Sequence, residues 1–97
     1  MWECMLREVD GFRAGHLPLG KLVADLRGLF VEADPHDQGI RSEFEAVWGV
    51  IEGEHELRTE PWAPAGSASD ANLARSLDEF TVWVRGLLAA DTSEDHK

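Results

Sequence analysis

The chain has a single cysteine, Cys4, only nine basic residues, and no long apolar run. Each shortage excludes something. A lone thiol closes no intramolecular disulfide, so the fold must rest on packing, and one cysteine suits a reducing compartment. No uninterrupted apolar stretch approaches the ~20 residues that a membrane-spanning helix needs. The opening MWECMLREVD carries charge from position 3 and has no apolar h-region, so no signal peptide is expected. A soluble, cytoplasmic protein is the expectation. Nine Lys and Arg stand against nineteen Asp and Glu, for a net charge of −10. Such a chain is repelled by nucleic acid and by anionic membrane surfaces, and its natural partners are cationic. The same charge also serves solubility alone.

Catalytic signatures are missing as well. There is no glycine-rich phosphate loop, no cluster of cysteines and histidines, and no serine in an elbow-like context. Cys4 lies among acids, which disfavour a thiolate nucleophile. Glu52 and His55 have the i, i+3 spacing of di-iron bundles, but those sites need the pair twice and further carboxylates, and no second copy exists. A hydrogen-bonded core histidine is the ordinary reading of His55. The aspartates of DPHD, residues 34–37, are explained by helix capping. Neither an enzyme nor a metal or cofactor protein is expected.

What remains is helical periodicity. The chain has 97 residues, 43% of them hydrophobic, which suits one globular domain with one core. Trp2, Met5, Leu6, Val9 and Phe12 mark a first amphipathic helix, with Gly15 as its C′ residue and Pro18 opening the next. Leu19, Leu22, Val23, Leu26, Leu29, Phe30 and Ala33 form one stripe within about 120° of the helical wheel. Pro35 ends that helix, and Asp34 or Asp37 caps a third, whose arc is Ile40, Phe44, Val47, Trp48, Ile51 and His55. Residues 58–70, RTEPWAPAGSASD, are loop by composition. Asp70 is an N-cap for a fourth helix with Leu73, Leu77, Phe80, Val84, Leu87 and Leu88 inward and Trp83 on its flank. No segment alternates with period two, and there are no repeats. The expectation is an all-α, compact four-helix bundle, largely antiparallel, over residues 1–90. Its helices fall at about 2–14, 18–33, 38–57 and 71–90, with 91–97 a flexible polar tail.

The third helix carries the feature that core-building does not explain. Gly49 and Gly53 sit inside it, each at about 1 kcal/mol relative to alanine. With the apolar arc turned inward, Ala46, Gly49 and Gly53 fall on the back. Glu45, Glu52 and Glu56 line one shoulder, Glu43 and Glu54 the other. Three readings compete: another helix packs closely on the small residues, Gly53 ends the helix as a C-cap, or the strip admits a partner whose Lys and Arg the acids hold. Trp62, between Pro61 and Pro64, either plugs the bundle end or anchors a partner.

The run FRAGHLPLGKLVADLRGLF, residues 12–30, has an F-x-x-G, short turn, L-x-x-L-V-x-x-L cadence, continued by FEAVWGVIE at residues 44–52. In this it resembles the immunity proteins of bacterial toxin–immunity systems, of the colicin-type and contact-dependent inhibition class. The shared positions cover under a third of the chain and are mostly core positions, so no binding residue carries over. The resemblance implies an acidic, cofactor-free protein that masks the active site of a cationic toxin, often a nuclease. The expected function is therefore a binding module that neutralises a basic toxin. Its candidate contacts are Glu45, Glu52, Glu54, Glu56 and Trp62 around Gly49 and Gly53. The alternative is a homodimeric scaffold or adaptor with Ala46, Gly49 and Gly53 as its seam, against which the flanking glutamates would repel their own copies.

Overall fold

A computed structural model of the protein describes residues 2–59 and 70–95, with side chains as far as residue 90. It contains four helices: α1 (Trp2–Arg13), α2 (Leu19–Ala33), α3 (Gln38–Thr59) and α4 (Asp70–Asp95). Each helix packs on two others, α1 and α3 both lying against α2 and α4, while the diagonal pairs do not meet. Short connections between α1, α2 and α3 make these neighbours antiparallel. The all-α four-helix bundle expected from the periodicity is the observed architecture.

Local chemistry sets the ends. Gly15 has φ 83°, in the left-handed region that favours glycine. His16 N–H donates to the Gly11 carbonyl at 2.8 Å and Gly15 N–H to that of Phe12 at 3.0 Å, the Schellman pattern that closes α1. Pro18 is the N-cap of α2, not its first helical residue; it is extended at φ −76°, ψ 161°. The two aspartates of DPHD divide the work. Asp34 terminates α2 in the left-handed region with its N–H on the Phe30 carbonyl at 3.1 Å. Asp37 caps α3, its Oδ1 accepting from Gly39 N–H at 2.8 Å and Ile40 N–H at 3.2 Å. Arg41 reaches back over this turn, donating to the Asp34 carboxylate at 2.7 Å and to the Pro35 carbonyl.

Three boundaries differ from expectation. α3, expected to end at about residue 57, runs to Thr59 and does not stop at the rival C-cap Gly53, because the residues beyond the glycine still pack: Glu54 is buried and Arg58 bridges to Asp70 at 2.9 Å. Asp70 is the first helical residue of α4, its carboxylate taken by Arg58. α4 then runs to Asp95, five residues into the segment expected to be a polar tail.

The core is built on rings. Phe44 of α3 stacks on Phe30 of α2 with centroids 3.9 Å apart and planes 5° from parallel. It also meets Trp48 at 5.9 Å, and Phe80 and Trp83 of α4 at 6.3 and 6.2 Å. Trp83 closes the set edge-on against Trp2 of α1 at 5.5 Å, so rings from all four helices converge. Met5, Leu22, Leu26, Ile51 and Val84 are fully buried around them. Ala33, placed on the α2 stripe by periodicity, is exposed in the last turn.

Replacing Phe44 by alanine removes the ring that the others share. The expected loss is about 3–5 kcal/mol, most of the stability of a domain this small, read as a collapse of the urea midpoint. A loss below about 1 kcal/mol would show that the ring cluster is not the organising contact.

Candidate functional site

Burial of Phe44, Trp48 and Ile51 fixes the rotation of α3. Trp48 locks it further: its indole N–H donates to the Val23 carbonyl of α2 at 3.0 Å, inside the core. Ala46, Gly49, Gly53 and Glu56 then face outward. A Cβ built at Gly49 or Gly53 meets nothing within 4 Å. Among the described residues no helix packs on the strip, which leaves the close-packing reading of the glycines without a partner there; the C-cap reading is overturned.

The predicted acids separate. Glu45, Glu52 and Glu56 lie along the α2 side of the strip as expected, Glu45 and Glu56 exposed and Glu52 half-buried. Glu45 accepts from Arg27 of α2 at 3.5 Å, and the Arg27 guanidinium lies 4.9 Å over the Trp48 ring. Glu54 is a correction. It is only 7% exposed, set against α4 near Asn72, Arg75 and Ser76, and is not available to a partner from the outer face. It falls three residues after Ile51 and seven after Val47, which puts it on the shoulder about 20° beyond Val47, at the edge of the inward arc. That spacing was the signal for its burial. Glu43 receives the indole N–H of Trp83 at 3.3 Å. Trp62 lies outside the described residues.

His55, like Glu52, lies towards α2. Its ring packs over Gly20 of α2, so that a Cβ there would sit 3.1 Å from His55 Cε1. An alanine at this position would have to push the ring back by a few tenths of an ångström. Among the described residues, no group of three or more His, Cys, Asp or Glu is placed to hold a metal ion. No helix among them is long and apolar enough to cross a membrane.

Two shallow grooves flank α2. One, of about 570 Å³, runs between α2 and α3 along Trp48, Glu52 and His55. The other, of about 770 Å³, runs between α1 and α2 along Cys4, Glu8, Asp25 and Glu32. Ala24 and Gly28 belong to both. Sequence reading missed these grooves, because they depend on which helices become neighbours.

The second groove holds two perturbed acids, Glu8 and Asp25. As a carboxylate, Glu8 buries its Oε2 with no donor; protonated, it donates to Asp25. That hydrogen bond, then desolvation and the nearby Asp25 charge, hold the Glu8 carboxyl above its usual range. Asp25 moves the other way, held low by the Lys21 ammonium at 2.9 Å and then by Glu8.

No protein-family model, curated protein or solved structure matches the chain. The site is therefore read from its own geometry.

Two outcomes follow from this geometry. Gly49→Ala and Gly53→Ala should each raise stability by up to about 1 kcal/mol in urea titration, because the methyl meets open space in a helix interior. Gly20→Ala should bring no gain, because its methyl meets His55. Equal gains at all three would contradict the placement of His55. The Glu8 contact gives a pH signature. A raised folded pKa means its stabilisation is present below the ordinary value of 4.5 and is lost as pH rises through the folded value. Glu8→Gln should match the wild type near pH 4 and become the more stable protein towards pH 7. A difference independent of pH would contradict the shared proton.

Proposed function

We propose that the protein is an acidic protein-binding module that holds a basic partner on the outer face of α3, and that it acts as an immunity protein neutralising a cationic toxin such as a nuclease. The observation that carries this reading is the strip itself: a helix face bare of side chains at Gly49 and Gly53, with Glu45, Glu52 and Glu56 along its edge. Helix interiors disfavour glycine, and nothing among the described residues uses the space these two leave open. A partner's backbone or short side chains can come close there while its Lys and Arg meet the carboxylates.

Charge placement supports the same partner chemistry. α3 carries five acids against two arginines and α4 six against two, whereas α2 is balanced with two of each. A basic nuclease cleft built for phosphate is complementary to such a row of carboxylates. Long-range attraction would also speed the encounter, which matters when the target is lethal. A second copy of the chain brings the same acids to the contact and is repelled.

The test is capture of the tagged protein's partner from its native lysate at low and moderate salt, followed by titration calorimetry of the captured protein against wild type and Glu52→Lys/Glu56→Lys. A basic partner released by salt, bound at least about 100-fold more weakly by the double variant with its urea midpoint unchanged, is the expected result. Undiminished affinity would remove the acidic strip from the contact. Recovery of only its own copies would favour the dimeric scaffold.

A further inference from the structure

The seam between α1 and α2 contains a titratable group that the α3 surface does not use. Glu8 of α1 lies there with Asp25 and Glu32, its Oε2 shut off from solvent and without a hydrogen-bond donor. A carboxylate oxygen that has lost its water and gained no donor opposes the packing that buries it. The neighbour within reach is Asp25 of α2, another acceptor, whose own donor is the Lys21 ammonium at 2.9 Å. One proton reverses the sign of this contact. On Glu8 it turns an acceptor into a donor, and the carboxyl bonds across the seam to Asp25. Withdrawn, it leaves two carboxylates facing each other with one ammonium to share.

Among the described residues nothing else supplies a donor to that oxygen. On α2 the charged groups are Lys21, held by Asp25, and Glu32 further along the groove. On α1 itself the residues one turn before and after Glu8 are Cys4 and Phe12. α4, the other helix against α1, has its Asp78 held by Arg13 at 2.7 Å. Arg13 lies about 140° round α1 from Glu8, on the opposite shoulder.

α1 is also the helix that such a contact can release. At 12 residues it is the shortest of the four, and its buried residues are Met5 and Val9. α2, α3 and α4 are joined without it, through the Phe30–Phe44 stack, the Trp48 bond to Val23 and the meeting of Phe44 with Phe80. α1 reaches the ring cluster through Trp2, 6.4 Å from Phe30 and 5.5 Å from Trp83. Elements with few buried contacts open ahead of the whole domain.

We infer that Glu8 is a proton-operated latch: with a proton between Glu8 and Asp25, α1 is held on α2, and with both groups ionised α1 opens ahead of the rest of the bundle. Acid closes the latch and rising pH loosens it. Opening uncovers the faces of α2 and α4 on which α1 rests.

Hydrogen exchange of the intact protein tests this, followed from about pH 4 to about pH 7 and corrected for the intrinsic rate of each amide. In the wild type, protection at residues 5–12 should fall at least about threefold more than at residues 42–52 of α3. Glu8→Gln, whose amide donates to Asp25 at any pH, should keep α1 protected at the upper end of the range. Lys21→Met removes the ammonium that favours both carboxylates, and should move the loss of α1 protection to higher pH. Equal loss in all four helices would overturn the latch, because the proton would then act on the whole fold. So would α1 protection indifferent to pH, a loss that persists in Glu8→Gln, or a midpoint unmoved by Lys21→Met.

Discussion

The stacking of Phe44 on Phe30 is the contact on which the rest of the molecule depends. It joins α2 to α3 at the centre of a ring cluster that also engages Trp83 of α4 and, through it, Trp2 of α1. Aromatic rings bury large areas, and a domain of this size has few other sources of cohesion. The stack also has a directional consequence. With Phe44 and Trp48 turned inward and the Trp48 indole bonded to the Val23 carbonyl, α3 has one rotation available, and Gly49 and Gly53 must face out. The outer surface is thus a by-product of how the core is locked.

Polar contacts add alignment more than stability. Arg13 to Asp78, Arg27 to Glu45 and Arg58 to Asp70 each tie two helices, all at solvent-exposed positions where a pair contributes about 0–1 kcal/mol. Their larger effect is on the field. Each engages a cation that would otherwise offset the acids, and the carboxylates left over include Glu32 and Glu52. A surface of this kind discriminates by sign before any contact forms.

Much of the fold was legible in the chain because helical periodicity is a local property. The stripe Leu22, Val23, Leu26, Phe30 needs no knowledge of its neighbours to be recognised, nor does Gly15 as a helix terminator or Asp37 as a cap. Glu54 shows where such reading stopped. Its place at the edge of the inward arc follows from its spacing to Val47 and Ile51, but a charged residue on that shoulder reads as solvent-facing until its surroundings on α4, about twenty residues away, are known. His55 against Gly20 and Glu8 against Asp25 were hidden for the same reason: both join residues on different helices. The α3 strip was legible, since it lies on one helix. The grooves on either side of α2 were not, because each is made by two helices.

The most direct test of the central claim, that the outer face of α3 is where a basic partner sits, is a nitrogen-15 NMR titration of the protein with the partner it captures. The account predicts shifted amide resonances concentrated at residues 45–56 of α3, with α4 residues 71–82 little changed. Shifts centred on α4, or spread evenly over the bundle, would contradict it.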